Sequence, residues 1–251
     1  MNIKMIVTDL DGTLLREDKT ISERTLTAIG QCKAKGIKTV YATGRGSTSM
    51  TLLPHQLLDG RVCCNGATAH AGDVLVYSKL IEIDSVRDLL IACNKAGFRV
   101  AAEYGGMHYS NFNVAETFPL LRQFKEVEFS NHNIDVEKIY AIIDSTEVVE
   151  LIRQYLSKDL YLQESRDGFA FVMHKEALKS AATASLAKYW GIEQSEIAAF
   201  GDDLNDIDLL EYCGVGIAMG NALCDVKAAA DQICDTNEND GIAVWLEENL
   251  L

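Results

Sequence analysis

The chain has 251 residues, 48% of them hydrophobic, with two prolines and a formal charge of -14 at pH 7. That is enough apolar material for one sizeable core, or a core with a smaller appended domain, and it argues against disorder. The acidic balance disfavours a nucleic-acid backbone or an anionic membrane as a partner, because either needs a basic face to displace counterions.

No stretch approaches the roughly 20 apolar residues of a membrane-spanning helix, and Asp9 and Asp11 stand where a signal peptide would be apolar, so a cytoplasmic chain is expected. The seven cysteines are scattered without a Cys-x-x-Cys pair or zinc-ligand spacing and read as small buried hydrophobes.

In chain order, Ile3, Met5, Ile6 and Val7 form a short apolar run that ends at Asp9, the pattern of a buried strand. Ser22 is a helix N-cap, Leu26, Ile29 and Cys32 share one helical face, and Gly36 stops the helix before a strand at Ile37 to Ala42. Strand, helix and strand without a hairpin signal predict a right-handed crossover and a parallel sheet. From Asp84 the pattern changes. A helix carrying Val86, Leu89, Leu90 and Cys93 leads to strands at Phe98 to Tyr104 and Met107 to Ser110 around Gly105-Gly106. A strand at Lys138 to Asp144 and a helix with Val148, Leu151, Ile152, Tyr155 and Leu156 on one stripe follow. Strands at Leu160 to Ser165 and Phe169 to His174 flank the hairpin turn Asp167-Gly168. Beyond it, a helix from Lys179 to Tyr189, a strand at Ile197 to Phe200, a helix from Leu204 to Tyr212 and a strand at Val215 to Ala218 return to the first pattern. A further helix, a short strand at Gln232 to Cys234 and a closing helix complete the chain. The expected fold is α/β: a Rossmann-like parallel core at 1–83 and 174–251, with an α+β domain inserted at 84–173.

Two acidic runs each follow a predicted strand: Asp9-Leu10-Asp11-Gly12-Thr13 and Gly201-Asp202-Asp203-Leu204-Asn205-Asp206. Residues just past the carboxyl ends of neighbouring parallel strands converge on one crevice, so several carboxylates share a small space there. Such a cluster calls for a cation, and an all-oxygen donor set suits Mg²⁺. A calcium loop fails on spacing, since Thr13 and Leu14 occupy places that such a loop reserves. Thr43-Gly44-Arg45, after the second strand, offers a hydroxyl, a backbone N–H and a guanidinium to a phosphate. Lys179, opening a helix, puts a cation beside an N-terminus that favours anions.

Together, in this order, these elements resemble the haloacid dehalogenase superfamily of phosphohydrolases, specifically its Cof-type, sugar-phosphatase-like branch. The run from Asp9 to Thr13 is similar to the first motif, Thr43 to the second, Lys179 to the third and Gly201 to Asp206 to the fourth, while Asn65-Gly66-Ala67 and Met219-Gly220-Asn221-Ala222 match secondary signatures. The third motif departs from the family in having Lys179-Ser180 instead of a lysine followed by glycine, and Lys175 is the alternative for its role.

The resemblance implies a phosphatase acting on small phosphorylated metabolites, such as a sugar phosphate or phosphorylated cofactor. Asp9 would attack phosphorus, and Mg²⁺ would be held by Asp9, the Asp11 carbonyl and Asp202. Asp11 would serve as acid and then base, which calls for a raised pKa or access to the protonated form. Thr43, Gly44, Lys179 and Asn205 would bind the phosphoryl oxygens, with Asp206, Arg45 and Asn65 in support. The insert would be a cap, with Glu164, Arg166 and His174 around its last hairpin as the residues that could meet substrate. A phosphomutase and a non-catalytic phosphosugar-binding protein are the rival readings.

Overall fold

The computed structural model of the chain describes residues 1–47, 57–119, 121, 123–165 and 167–251. Its elements run β1 (Met5–Thr8), α1 (Glu23–Ala34), β2 (Lys38–Ala42), β3 (Gly60–Cys63), β4 (Thr68–Ala71), β5 (Val74–Ser78), α2 (Ile83–Lys95), β6 (Val100–Tyr104), β7 (Met107–Ser110), β8 (Phe124–Glu126), β9 (Lys138–Ile142), α3 (Thr146–Tyr155), β10 (Leu160–Glu164) and β11 (Phe169–His174). They continue with α4 (Lys179–Trp190), β12 (Ile197–Gly201), α5 (Ile207–Tyr212), β13 (Val215–Ala218), α6 (Cys224–Ala229), β14 (Gln232–Ile233) and α7 (Gly241–Asn249). Two compact units divide them: Met1–Arg45, Ser49–Ser78 and Leu178–Leu251 form the first, and Gly46–Thr48 with Lys79–Ala177 the second. The insert expected at 84–173 lies inside the second.

The first unit is built on one sheet in the order β14-β13-β12-β1-β2-β3-β4-β5. Its strands are parallel from β14 to β3, and β4 and β5 extend it antiparallel. All four residues of β1 are buried, as expected of a parallel strand covered on both faces. Ser22 caps α1, its Oγ accepting the Thr25 N–H at 3.0 Å, and Gly36 follows the helix with φ +84°. Trp245 of α7 packs edge-on to Phe200 of β12 at 5.3 Å between ring centroids. The register sets Thr8 opposite both Tyr41 and Phe200, so β2, β1 and β12 finish level.

The second unit has its own sheet, β10-β11-β9-β6-β7-β8. It is antiparallel except where β7 meets β8. Val86, Leu89 and Leu90 of α2 and Val148 and Ile152 of α3 share a core with alternate residues of its strands, such as Val100, Ala102, Ile139, Ala141, Ala170 and Val172. That alternation is the mark of a sheet whose helices cover one face. Gly168, at φ +82°, makes the predicted hairpin turn.

Two features differ from the predicted elements. The Leu204 to Tyr212 helix is a 3₁₀ turn at Leu204–Asp206 followed by α5, because the Asp206 side chain turns back to the N–H groups of Asp202 and Asp203. Strands β3, β4, β5 and β8 have no counterpart among the predicted elements. Among the described residues no helix is long and apolar enough to cross a membrane.

Candidate functional site

Four neighbouring strands of the first unit deliver the predicted residues at their carboxyl ends. Asp9 follows β1, with its N–H still on the ladder to Phe200 O at 3.0 Å. Thr43 follows β2, bonded to Val62 O at 2.9 Å, Asn65 follows β3, and Asp202 follows β12. Lys179 is the first residue of α4.

Lys179 organises the centre. Its Nζ donates to Asp9 Oδ1 and to Asp206 Oδ1, each at 2.6 Å, and its side chain has no exposed surface. Asp206 is equally buried, and its second oxygen accepts the N–H groups of Asp202 at 3.0 Å and Asp203 at 3.1 Å. Both oxygens of Asp206 are thus committed to holding Lys179 and the loop. Asp203 caps the 3₁₀ turn, accepting the Leu204 N–H at 2.7 Å. Lys175, the alternative to Lys179, is exposed and belongs to the second unit.

The loop after Asp9 is pinned by buried Leu10, Leu14 and Leu15. Gly12 stands at φ +83°, and a Cβ there would lie 2.3 Å from Asp202 Oδ2, so only glycine lets the two acidic runs approach this closely. Thr13 Oγ1 donates to Asp202 Oδ1 at 2.6 Å, and Asn221 Nδ2 donates to Gly12 O at 2.7 Å. Sequence reasoning assigned neither Thr13 nor Asn221 a role, although both lie within the motifs it singled out.

Electrostatics follow from this crowding. Burial pushes the Asp9 carboxyl up to about 8; the Asp206 and Asp202 charges add to that, while Lys179 opposes it. Burial, with Asp206 and Asp203 nearby, likewise raises Asp202 to about 6, against the Thr13 hydrogen bond. For Lys179, burial would favour the neutral amine, but Asp206 and Asp9 outweigh it and hold the ammonium above the ordinary lysine range. Three carboxyl groups therefore crowd around one ammonium, which pairs with two of them. Asp9, Asp202 and Asp206 each offer an oxygen, all within 4.8 Å of one another. This hard, under-neutralised oxygen set fits a divalent cation.

Asp11 departs from expectation. Arg45 grips its carboxylate with both ends of its fork, Nε to Oδ2 and Nη2 to Oδ1, each at 2.6 Å, and Lys19 Nζ adds a bond to Oδ1 at 2.8 Å. Burial alone would raise its pKa, but the hydrogen bonds of Arg45 and Lys19 prevail and hold it below the usual carboxylate range. The raised pKa that an acid role suggests is absent in this state. No sequence signal pointed to Lys19, which reaches Asp11 from a tight turn at φ +66°.

Thr43 is buried, and its Oγ1 accepts the Arg45 N–H at 3.1 Å. Asn205 Nδ2 donates to Asn65 Oδ1 at 2.9 Å, and Asn65 Oδ1 lies 3.0 Å from where a Cβ on Gly44 would stand. Glu164 and His174 belong to the second unit and have local partners: Glu164 pairs with Arg153 at 2.8 Å, and His174 Nδ1 accepts the Glu176 N–H at 3.0 Å. Arg166 lies outside the described residues.

The chain is similar in sequence and in fold to proteins already known. The sequence model of the haloacid dehalogenase-like hydrolases matches residues 6–246. The 5-amino-6-(5-phospho-D-ribitylamino)uracil phosphatase YitU of Bacillus subtilis is 33% identical, over 97% of this chain and 96% of its own. Phosphatase YwpJ of the same organism is 27% identical, over 99% of this chain and 100% of its own. Among solved structures, the subclass IIB sugar phosphatase BT4131 superimposes with a TM-score of 0.81 at 28% identity, covering 98% of each chain. A haloacid dehalogenase-like hydrolase from Bacteroides thetaiotaomicron shares the fold with a TM-score of 0.87 at 24% identity, covering 98% of this chain and 99% of its own.

Proposed function

The chain belongs to the haloacid dehalogenase-like hydrolases and is a phosphatase; from that premise we propose that it is a cytoplasmic, Mg²⁺-dependent hydrolase of small phosphate monoesters, a sugar phosphate or a phosphorylated cofactor, working through an aspartyl-phosphate on Asp9. The observation that most supports the reading is the buried bond from Lys179 Nζ to Asp9 Oδ1 at 2.6 Å, with Asp202 beside it. Burial holds Asp9 back from ionising, while the fixed Lys179 ammonium favours its carboxylate; a bound divalent cation would favour it further, and Lys179 keeps the group positioned for attack where phosphate charge will gather.

Asp9 and Asp202, with the Asp11 backbone carbonyl, would hold the Mg²⁺, which when bound supplies the charge neutralisation that lets a carboxylate approach a phosphate. The Asp9 carboxylate forms a bond to phosphorus as the ester oxygen leaves, taking a proton from Asp11. Asp11, then ionised, accepts a proton from the water that attacks the same phosphorus, and phosphate departs as Asp9 is restored. Asp11 has to leave the Arg45 fork and Lys19 before it can do either. Thr43, the Gly44 N–H, Lys179 and Asn205 donate to the phosphoryl oxygens, and Asp206 keeps Lys179 in place. The inserted unit serves as a cap that keeps bulk water out during the reaction. YitU acts on a phosphorylated ribitylaminouracil and BT4131 is a sugar phosphatase, and both substrate kinds fit the class proposed here.

The test is phosphate release from a panel of sugar phosphates and phosphorylated cofactors, with Mg²⁺ and with EDTA. Release that requires the metal is expected. Undiminished release in EDTA would remove the metal from the mechanism, and conversion to an isomeric sugar phosphate without free phosphate would make the enzyme a mutase.

A further inference from the structure

The turn after β3 carries backbone strain. Cys64 has φ +50°, Asn65 φ +54° and Gly66 φ +102°, three consecutive residues in left-handed space of which two are not glycine. Such a conformation persists only where its surroundings over-determine it, and it gathers at functional sites. Here it is tied twice to the segment after β2, by Cys64 N–H to Arg45 O and Asn65 N–H to Thr43 O, each at 2.9 Å. On its far side Gly66 lies against the residue before Lys179, where a Cβ would come within 2.2 Å of Leu178 O. The strained turn is therefore in touch with the segments that carry Thr43, Gly44 and Lys179.

Its side chain reaches the remaining one. Asn65 is only 7% exposed, and its Oδ1 accepts from Asn205 Nδ2 at 2.9 Å. This bond joins the ends of β3 and β12, which are not neighbours in the sheet because β1 and β2 lie between them. One bond between two side-chain amides thus links strand ends that flank those carrying Asp9 and Thr43.

We propose that Asn65 is a positioning residue for phosphoryl transfer. By accepting one amide hydrogen of Asn205, its Oδ1 fixes which way that amide faces and leaves the second N–H as a donor to a phosphoryl oxygen. The left-handed backbone is what brings Oδ1 to Asn205, and asparagine is among the few residues that adopt it readily. The inference rests on the reading of Asn205 as a phosphate-binding residue.

The test compares Asn65→Gly, Asn65→Asp, Asn205→Ala and the Asn65→Gly/Asn205→Ala double variant, using p-nitrophenyl phosphate hydrolysis and thermal unfolding. Glycine keeps the positive φ and removes the amide; aspartate keeps the acceptor. Loss of a direct donor predicts a fall in kcat of about 100-fold for Asn205→Ala. Loss of its support predicts about 10-fold for Asn65→Gly with the unfolding midpoint unchanged. Asn65→Asp should recover most of the activity, and the double variant should be no slower than Asn205→Ala alone, as expected of two residues acting as one unit. A normal kcat for Asn65→Gly beside an impaired Asn205→Ala overturns the positioning role and leaves the phosphate-binding reading standing. Multiplicative losses in the double variant, or an Asn65→Asp enzyme as slow as Asn65→Gly, overturn it too. A normal kcat for Asn205→Ala removes the phosphate-binding reading and the positioning role with it.

Discussion

Asp206→Ala isolates the group on which the centre is built. Lys179 has no exposed surface and is held by two carboxylates at 2.6 Å. Among the described residues the substitution leaves Lys179 a single ionic partner, Asp9, and strips the acceptor from the N–H groups of Asp202 and Asp203. Removing one partner of a buried ion pair costs about 3–5 kcal/mol, and each orphaned N–H adds roughly 1 kcal/mol. Against this, Asp9 is freed from a like charge that raises its pKa. The balance is a loss of about 3 kcal/mol, the lower end of the range for a broken buried pair, or roughly 6–12 °C in Tm for a domain of this size. Urea unfolding followed by tryptophan fluorescence reads it directly, because Trp190 and Trp245 both belong to the unit that carries the site. Asp206→Asn, which keeps an oxygen for the backbone N–H groups, should lose less. A loss below about 1 kcal/mol for Asp206→Ala, the scale of an exposed pair, would refute the argument that Lys179 is electrostatically locked.

Two further predictions concern charge. Lys179→Ala should lower kcat by about 100-fold or more through lost stabilisation of phosphoryl charge, whereas Lys175→Ala, at an exposed position, should stay within about twofold of wild type; steady-state kinetics with p-nitrophenyl phosphate separates them, and the opposite order would move the third-motif role to Lys175. His70 is held down at about 4 by burial and by the Arg61 charge, against an ordinary value of 6.5. Its folded-state pKa is depressed, so between those values the unfolded chain binds more protons and stability falls as pH drops from about 6.5 towards 4. His70→Gln should flatten that part of the urea-midpoint profile; an unchanged slope would show that His70 does not drive it.

Much of the core was legible because the residues that matter sit at element boundaries. The buried run before Asp9, the Ser22 cap and the glycine after α1 are local signals that tertiary packing had no reason to override. The two acidic runs announced a shared site since both follow strands of one parallel sheet. What stayed hidden depends on contacts across long sequence separations. Nothing local says that Lys19 and Arg45 will clasp Asp11, or that Asn65 will meet Asn205 over 140 positions. The short strands β3 and β4 carry no readable period, and that is why the turn at Asn65 entered the sequence reading as a motif without a geometry. Glu164 and His174 show the reverse limit, as hairpin position named them while their hydrogen-bond partners are local.

The proposed reaction depends on Asp9 as its nucleophile. It is tested most directly by rapid quenching in acid during turnover of a phosphate ester with Mg²⁺, followed by intact-mass and peptide mapping of wild type and Asp9→Asn. The expected result is a phosphorylated wild-type chain with the modification on Asp9, and neither phosphorylation nor phosphate release from Asp9→Asn. Phosphate release that persists in Asp9→Asn, or a phosphoryl group mapped to another residue, would contradict it.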